Sequence, residues 1–328
     1  MKKTLPKFSI SKASEKKLRL AALALILIMA SIIFLMTGPQ ALDLVESKVV
    51  SGNLPEESIK SEGLVLSEAK EPPKVEVISA HIPEPVMSAV AVIAYDVAED
   101  KILFEKNIHT KLAPASTTKI MTAIIASEYF NSGDLLTVPA EAIVGGSTMG
   151  LNAFEKLTFR SLLYGMMLNS GNDAAFTIAY NYPGGRDAFI AKMNSRAAEI
   201  GALNTHFDNP AGFDSPYHYS SAYDLLLIGR ESIKNARLGK VFSTKETSVT
   251  SLDKTQNHPL KNLNKLLDEE GVVGIKTGTT EMAGESFVGL IEKNNRTVLT
   301  VMLNSQDRFG ETKTLLDWIF ANYTWQVN

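Results

Sequence analysis

The stretch PASTTKIM, residues 114–121, places a lysine three positions after a serine, just where an apolar helical run begins. Residues i and i+3 of an α-helix share a face, so Ser116 and Lys119 are expected to point the same way. A serine hydroxyl is a weak nucleophile without a base beside it, and a neutral lysine amine can be that base. The plainer reading makes Ser116 an N-cap and Lys119 a solvated charge. The spacing alone does not choose between them, because Ser9/Lys12, Ser14/Lys17, Ser67/Lys70 and Ser251/Lys254 repeat it.

Working outward from this helix, the apolar run Ala89 to Tyr95 and the stretch Lys101 to Phe104 flank the turn signal Glu99-Asp100 and predict a hairpin. Helical spacing continues from Ser116 to about Tyr129. It returns over Phe159 to Leu168, Asp173 to Tyr180, Arg186 to Ile200 and Ser221 to Ser232. Ser221 and Asp224 have capping-box spacing. Strand signals follow at Val272 to Thr277, Ser286 to Glu292 and Thr297 to Leu303, the last two joined at Asn294-Asn295. Glu311 to Tyr323 reads as a closing amphipathic helix. Strands at both ends of the domain bracket a helical insert. The economical arrangement is one antiparallel sheet of about five strands, flanked by helices, with the insert as a second lobe and a cleft between.

The first 85 residues read differently. Lys2, Lys3, Lys7, Lys12, Lys16, Lys17 and Arg19 form a basic tail over residues 1–19. An uncharged apolar stretch, Leu20 to Met36, follows and is near the roughly 17–25 residues that span a bilayer. Residues 20–37 are therefore expected to be a membrane anchor or a signal segment. The anchor is favoured because Pro39-Gln40-Ala41 makes a poor cleavage site. The basic flank keeps the tail cytoplasmic and exports the remainder, or the chain is secreted if the segment is cleaved. Residues 38–85, rich in Glu, Ser, Lys and Pro, read as a flexible tether, and residues 86–328 as the catalytic domain.

Composition removes several function classes. The 328 residues include no cysteine, so disulfides and thiolate chemistry are excluded. A net charge of −3 offers no basic surface for nucleic acid. The five histidines show no zinc-binding spacing, and no metal or other cofactor is expected.

Two further motifs give the opening tetrad its meaning. Ser170-Gly171-Asn172 falls at a turn between two predicted helices, where Gly171 would permit unusual backbone angles. Lys276-Thr277-Gly278 falls on a predicted strand and occurs once, whereas the triplet Ser-Gly-Asn also occurs at residues 51–53. The order S-x-x-K, S-x-N, K-T-G is the one found in penicillin-binding proteins and class A β-lactamases.

With these motifs, the sequence resembles the serine-type D-alanyl-D-alanine carboxypeptidases of peptidase family S11, the low-molecular-weight penicillin-binding proteins. The likeness runs from about Ser88 to Tyr323 and takes in Leu112-Ala113-Pro114-Ala115, Asp173-Ala174-Ala175, Phe207 to Gly212, and His218-Tyr219-Ser220. It implies the α+β fold of β-lactamases and transpeptidases. It also implies a peptidoglycan stem peptide ending in D-Ala-D-Ala as substrate, and β-lactam antibiotics as covalent inhibitors. Carried over by position, Ser116 is the nucleophile, and Lys119 its base with a pKa depressed by desolvation and by Lys276. Ser170 is the proton relay, and Asn172 a hydrogen-bonding partner of the substrate backbone or of Lys119. Lys276, Thr277 and Gly278 receive the substrate's carboxylate and backbone. The N–H groups of Ser116 and Thr279 form the oxyanion hole.

Two departures stand out. Thr279 occupies the place where the family often has a ring, and the chain stops at Asn328, where many members continue into a further domain. Membrane attachment is accordingly expected through the N-terminal span. Arg308 suits either a substrate carboxylate or an ordinary surface position, and His218 a packed or capping role. A D,D-endopeptidase is the nearest alternative. A β-lactamase is disfavoured, since Glu199 to Asn204 has one residue too many for its deacylating motif. An inactive peptidoglycan-binding module would not need all four reactive side chains.

Overall fold

A computed structural model describes residues 75–327. Leu20–Met36, the basic tail and the tether up to residue 74 lie outside the described residues.

Hairpin and closing strands meet as the sequence suggests. Strand β1 is Val75–Ser79, followed by β2 (Ala91–Asp96) and β3 (Lys101–Lys106). The β2–β3 turn is closed by Asp96, whose Oδ1 accepts from the N–H groups of Ala98 and Glu99 at 2.9 and 3.0 Å. Near the other end stand β8 (Val272–Thr280), β9 (Gly284–Lys293) and β10 (Arg296–Ser305). Asn294 and Asn295 both take positive φ, 53° and 58°, as a tight hairpin turn demands. The five strands form one antiparallel sheet in the order β3-β2-β10-β9-β8, with Ala91 opposite Leu303. Alternation along β2 sends Ile93 and Tyr95 to one face and Val92 and Ala94 to the other.

The first face packs on a helical lobe. A 3₁₀ turn, Ala115–Thr118, leads into α1 (Lys119–Tyr129), and α2 (Phe159–Leu168), α3 (Asn172–Tyr180) and α4 (Gly185–Glu199) follow. Next come α5 (Ala222–Ile233) and α6 (Ala236–Phe242). Ser221 caps α5 by accepting from the Asp224 N–H at 3.1 Å. The second half of the predicted box is absent: the Asp224 carboxylate turns outward to the Asn204 N–H and the Thr205 hydroxyl. The opposite face of the sheet is covered by α7 (Arg308–Asn322) through Leu315 and Ile319.

The tether expectation is corrected at its end. Val75–Ser79 pairs antiparallel with β11, Tyr323–Val327, so ordered structure starts before Val86. The closing helix correspondingly ends at Asn322. The intervening chain lies along it, with the Ile82 N–H on Asn322 Oδ1 at 2.7 Å. A five-residue strand whose partner lies at the far end of the sequence leaves little periodic signal. Two small ribbons were likewise unforeseen: β4 (Leu135–Thr137) with β5 (Lys156–Thr158), and β6 (Glu246–Thr250) with β7 (Asn257–Lys261).

Candidate active site

The site is built where the 3₁₀ turn, the α2–α3 junction, the 208–213 loop and β8 converge. Ala115, buried and at φ 49°, swings the chain so that Ser116 is half-exposed while Lys119 is fully buried. Lys119 Nζ lies 2.9 Å from Ser116 Oγ, 2.8 Å from Asn172 Oδ1 and 2.6 Å from the carbonyl oxygen of Ala211. Asn172 is oriented by its own amide, which donates to the Gly145 carbonyl at 2.9 Å and so turns Oδ1 towards the lysine.

Burial holds the Lys119 amine well below the ordinary lysine pKa, Lys276 pushes it further down, and Asp173 opposes both. The consequence is chemical. A neutral amine has two N–H donors and one lone pair. Asn172 Oδ1 and Ala211 O can take both donors, which leaves the lone pair for the Ser116 hydroxyl.

Asp173 supports this arrangement from below. Its buried carboxylate accepts from the N–H groups of Met149, Gly150 and Leu151, each at 3.0 Å from its nearer oxygen. The loop so held carries Gly145 and also Ser147, whose carbonyl receives the Asn172 N–H at 2.7 Å. Asn209 does similar work on the other side: its Oδ1 accepts from Ala211, Gly212 and Phe213, fixing the carbonyl that meets Lys119.

Lys276 and Thr277 are buried on β8. Lys276 Nζ donates to the Thr277 carbonyl at 3.0 Å, and burial together with Arg308 lowers its pKa to about 7. Gly278 sits against the nucleophile turn, where a Cβ would fall 3.0 Å from Ser116 N. Thr279 is exposed, and its hydroxyl donates to the Gly278 carbonyl at 2.8 Å. Ser170 is buried at the α2–α3 junction. Its hydroxyl makes no hydrogen bond among the described residues. The left-handed residue of that turn is Ser170 itself, at φ 57°, and not Gly171 as the sequence suggested.

Three further neighbours of the site have a part that the sequence left open. Ala211 acts through a backbone carbonyl, which no side-chain pattern announces. Arg308 is partly buried: one Nη donates to the Gly278 carbonyl at 2.9 Å and to the Thr279 hydroxyl, while its buried Nε has no partner. His218 lies behind the nucleophile turn, with Nε2 2.8 Å from Thr118 Oγ1 and Nδ1 3.1 Å from Asp208 Oδ1. Glu199, considered above for a β-lactamase role, sits at the end of α4 with Ser195, Lys192 and Arg196 as its partners.

Burial drives the pKa of His218 from 6.5 down to about 4, against the pull of Asp208. The unfolded chain therefore binds this proton before the folded one does. The associated stability is complete above pH 6.5 and is lost as pH falls towards 4. It is worth on the order of 3 kcal/mol. The urea midpoint should drop between pH 6.5 and pH 5, ahead of most carboxylate titration, and His218→Gln should flatten that slope. An equally steep slope in the variant would count against this role.

A sheet and helical lobe with a Ser–Lys pair, an S-x-N junction and a K-T-G strand at their meeting place define the serine D,D-peptidase architecture. Comparison with known proteins carries this to the family. The chain belongs to the D-alanyl-D-alanine carboxypeptidase family, peptidase family S11, whose profile matches residues 77–307. It is 34% identical to D-alanyl-D-alanine carboxypeptidase DacF of Bacillus subtilis, over 68% of this chain and 60% of that protein. It is 31% identical to D-alanyl-D-alanine carboxypeptidase DacC of Escherichia coli, over 72% of this chain and 62% of that one. The chain thus spans about 60% of the length of these two relatives. Among solved structures, a DD-transpeptidase of Streptomyces superposes with a TM-score of 0.70 at 30% identity, covering 73% of this chain and all of the other.

Proposed function

We propose that the protein is a serine D,D-carboxypeptidase that trims the terminal D-alanine from peptidoglycan stem peptides. The observation that carries this reading is the fully buried Lys119 amine, its pKa pushed down by burial, with Asn172 Oδ1 and the Ala211 carbonyl as acceptors beside it and Ser116 Oγ at 2.9 Å. Ser116 Oγ attacks the carbonyl carbon between the two D-alanines while its proton passes to Lys119. The oxyanion is received by the N–H groups of Ser116 and Thr279, each typically worth about 3–4 kcal/mol. Collapse breaks the C–N bond, and the proton held by Lys119 is relayed through the Ser170 hydroxyl to the departing amine, which leaves Lys119 neutral again. Water then attacks the Ser116 ester and restores the enzyme.

Lys276, Thr277 and Arg308 select a chain end. A free carboxylate beside the ammonium makes a charge-assisted contact that an internal peptide cannot supply. Gly278 lets the peptide lie along β8 as an added strand.

The test is direct. Incubation with penicillin should add one penicilloyl group, mapped to the peptide containing Ser116, and a peptide ending in D-Ala-D-Ala should release D-alanine. No adduct and no D-alanine would overturn the reading, and rapid turnover of the penicillin would favour a β-lactamase.

Members of this family act on peptidoglycan outside the cytoplasm. No helix among the described residues is long and apolar enough to cross a membrane. We propose that Leu20–Met36, outside the described residues, anchors the chain with the catalytic domain on the outer face. Alkaline carbonate extraction should leave the full chain in the membrane pellet, and its release would refute the anchor.

A further inference from the structure

Beside the reaction centre lies a second recess of about 860 Å³, lined by Ser147, Thr148, Asn169, Glu246, Lys261 and Leu263 among others. Hydrogen bonds tie it to the catalytic junction. Asn169 directly precedes Ser170, and its Oδ1 accepts the Lys261 N–H at 2.8 Å. The Leu263 N–H reaches the Leu168 carbonyl at 3.2 Å, at the end of α2. Ser147 borders the recess and also holds Asn172 through its carbonyl. The β6–β7 ribbon is thus stitched to the elements that deliver Ser170 and Asn172.

The lining has an unusual charge arrangement. Glu246 and Lys261 stand directly opposite each other in the ribbon, and both are exposed. Opposite charges in that position usually pair. Here neither forms a salt bridge among the described residues. Lys261 lies near enough to Asp268 to help lower its pKa, but that carboxylate is bonded by Lys245 at 2.8 Å. Buried Leu260 and exposed Pro259 add apolar lining to the recess. An acid and a base that leave the ribbon from Cβ atoms roughly 5 Å apart, beside apolar surface, match a ligand that carries an ammonium and a carboxylate on one carbon.

A stem peptide has such a group close to the bond that is cut. The residue before the two D-alanines is a diamino acid, whose side chain ends in an amine or in a complete α-amino acid. With the chain end held at Lys276 and Thr277, the upstream residues must leave along a wall of the cleft, and this recess opens beside the wall that carries Ser170. We propose that the recess binds the zwitterionic end of that diamino acid, with Glu246 taking the ammonium and Lys261 the carboxylate. The proposal rests on the carboxypeptidase reading above and adds substrate selection to it.

Three peptides test it: an acyl-meso-diaminopimelyl-D-Ala-D-Ala, the corresponding lysyl peptide with a free side-chain amine, and the same lysyl peptide acetylated on that amine. D-alanine release should give kcat/KM about tenfold higher for the first than for the third, with the second between them. Glu246→Gln should erase the difference between free and acetylated lysine. Lys261→Met should erase the advantage of the diaminopimelyl peptide over free lysine. Equal kcat/KM for all three peptides, or preferences unchanged in both variants, would overturn the recess while leaving the carboxypeptidase reading intact. No D-alanine from any peptide, with no penicillin adduct, would overturn both.

Discussion

Replacing Lys119 with methionine should slow penicillin acylation of Ser116 by about 10²–10⁴-fold, the usual contribution of a positioned general base. Methionine keeps the length and the apolar stem, so the buried space stays filled. The Asn172 and Ala211 oxygens lose their donor, at a cost of about 1–3 kcal/mol, which the fold should survive. Lys119→Arg should fail equally, because a guanidinium stays charged and offers no lone pair.

The pH profile supplies the independent check. Lys119 must be neutral to act, and its pKa lies well below 10.5, so acylation should reach its plateau far short of the ordinary lysine range. In the proposed mechanism Lys276 must be protonated to hold the substrate's carboxylate, and its pKa is about 7. For peptide substrates kcat/KM should therefore decline as pH rises through about 7. The alkaline limb of kcat should lie higher, since a bound carboxylate favours the ammonium. Acylation that climbs steadily towards pH 10, or a Lys119→Met variant near the normal rate, would remove Lys119 from the role of base.

Gly212→Ala should be nearly as damaging, although no side chain of chemical interest is lost. Gly212 has φ +91°, and a Cβ there would lie 1.9 Å from the Ala115 carbonyl oxygen and 2.9 Å from Ser116 N. Both obstacles are backbone, so neither can rotate aside. The 208–213 loop must retreat from the nucleophile turn, carrying the Ala211 carbonyl off Lys119. The combined left-handed strain and overpacking should cost about 2–5 kcal/mol. A displacement near 1 Å at a reacting group can cost ~10²-fold in rate. Urea unfolding and penicillin acylation of the folded variant would show both, and normal values in each would refute the close approach.

The elements legible in the sequence were those with a strong local period. β2, β8, β9 and β10 are apolar runs between clear turns, and α2 was bounded correctly at Phe159 and Leu168. The Ser116–Lys119 pairing was legible because one helical turn sets it. What escaped depends on distant or backbone partners. β6 reads Glu-Thr-Ser-Val-Thr and β7 contains Pro259, so neither alternates in a way that signals burial on one face. Gly239, within α6, weakens the local preference for helix. The grip of Asp173 on three backbone N–H groups and the Ala211 carbonyl beneath Lys119 appear only when loops far apart in the sequence are brought together.

The strand order has a kinetic consequence. β2 finds its central neighbour only in β10, so the hairpin made first in synthesis waits, half-paired, until almost the whole chain is available. Closing so long a loop is slow, and an unpaired apolar edge is prone to aggregate meanwhile. Penicillin labelling should therefore switch on late in refolding, as one step, when the last long strand docks.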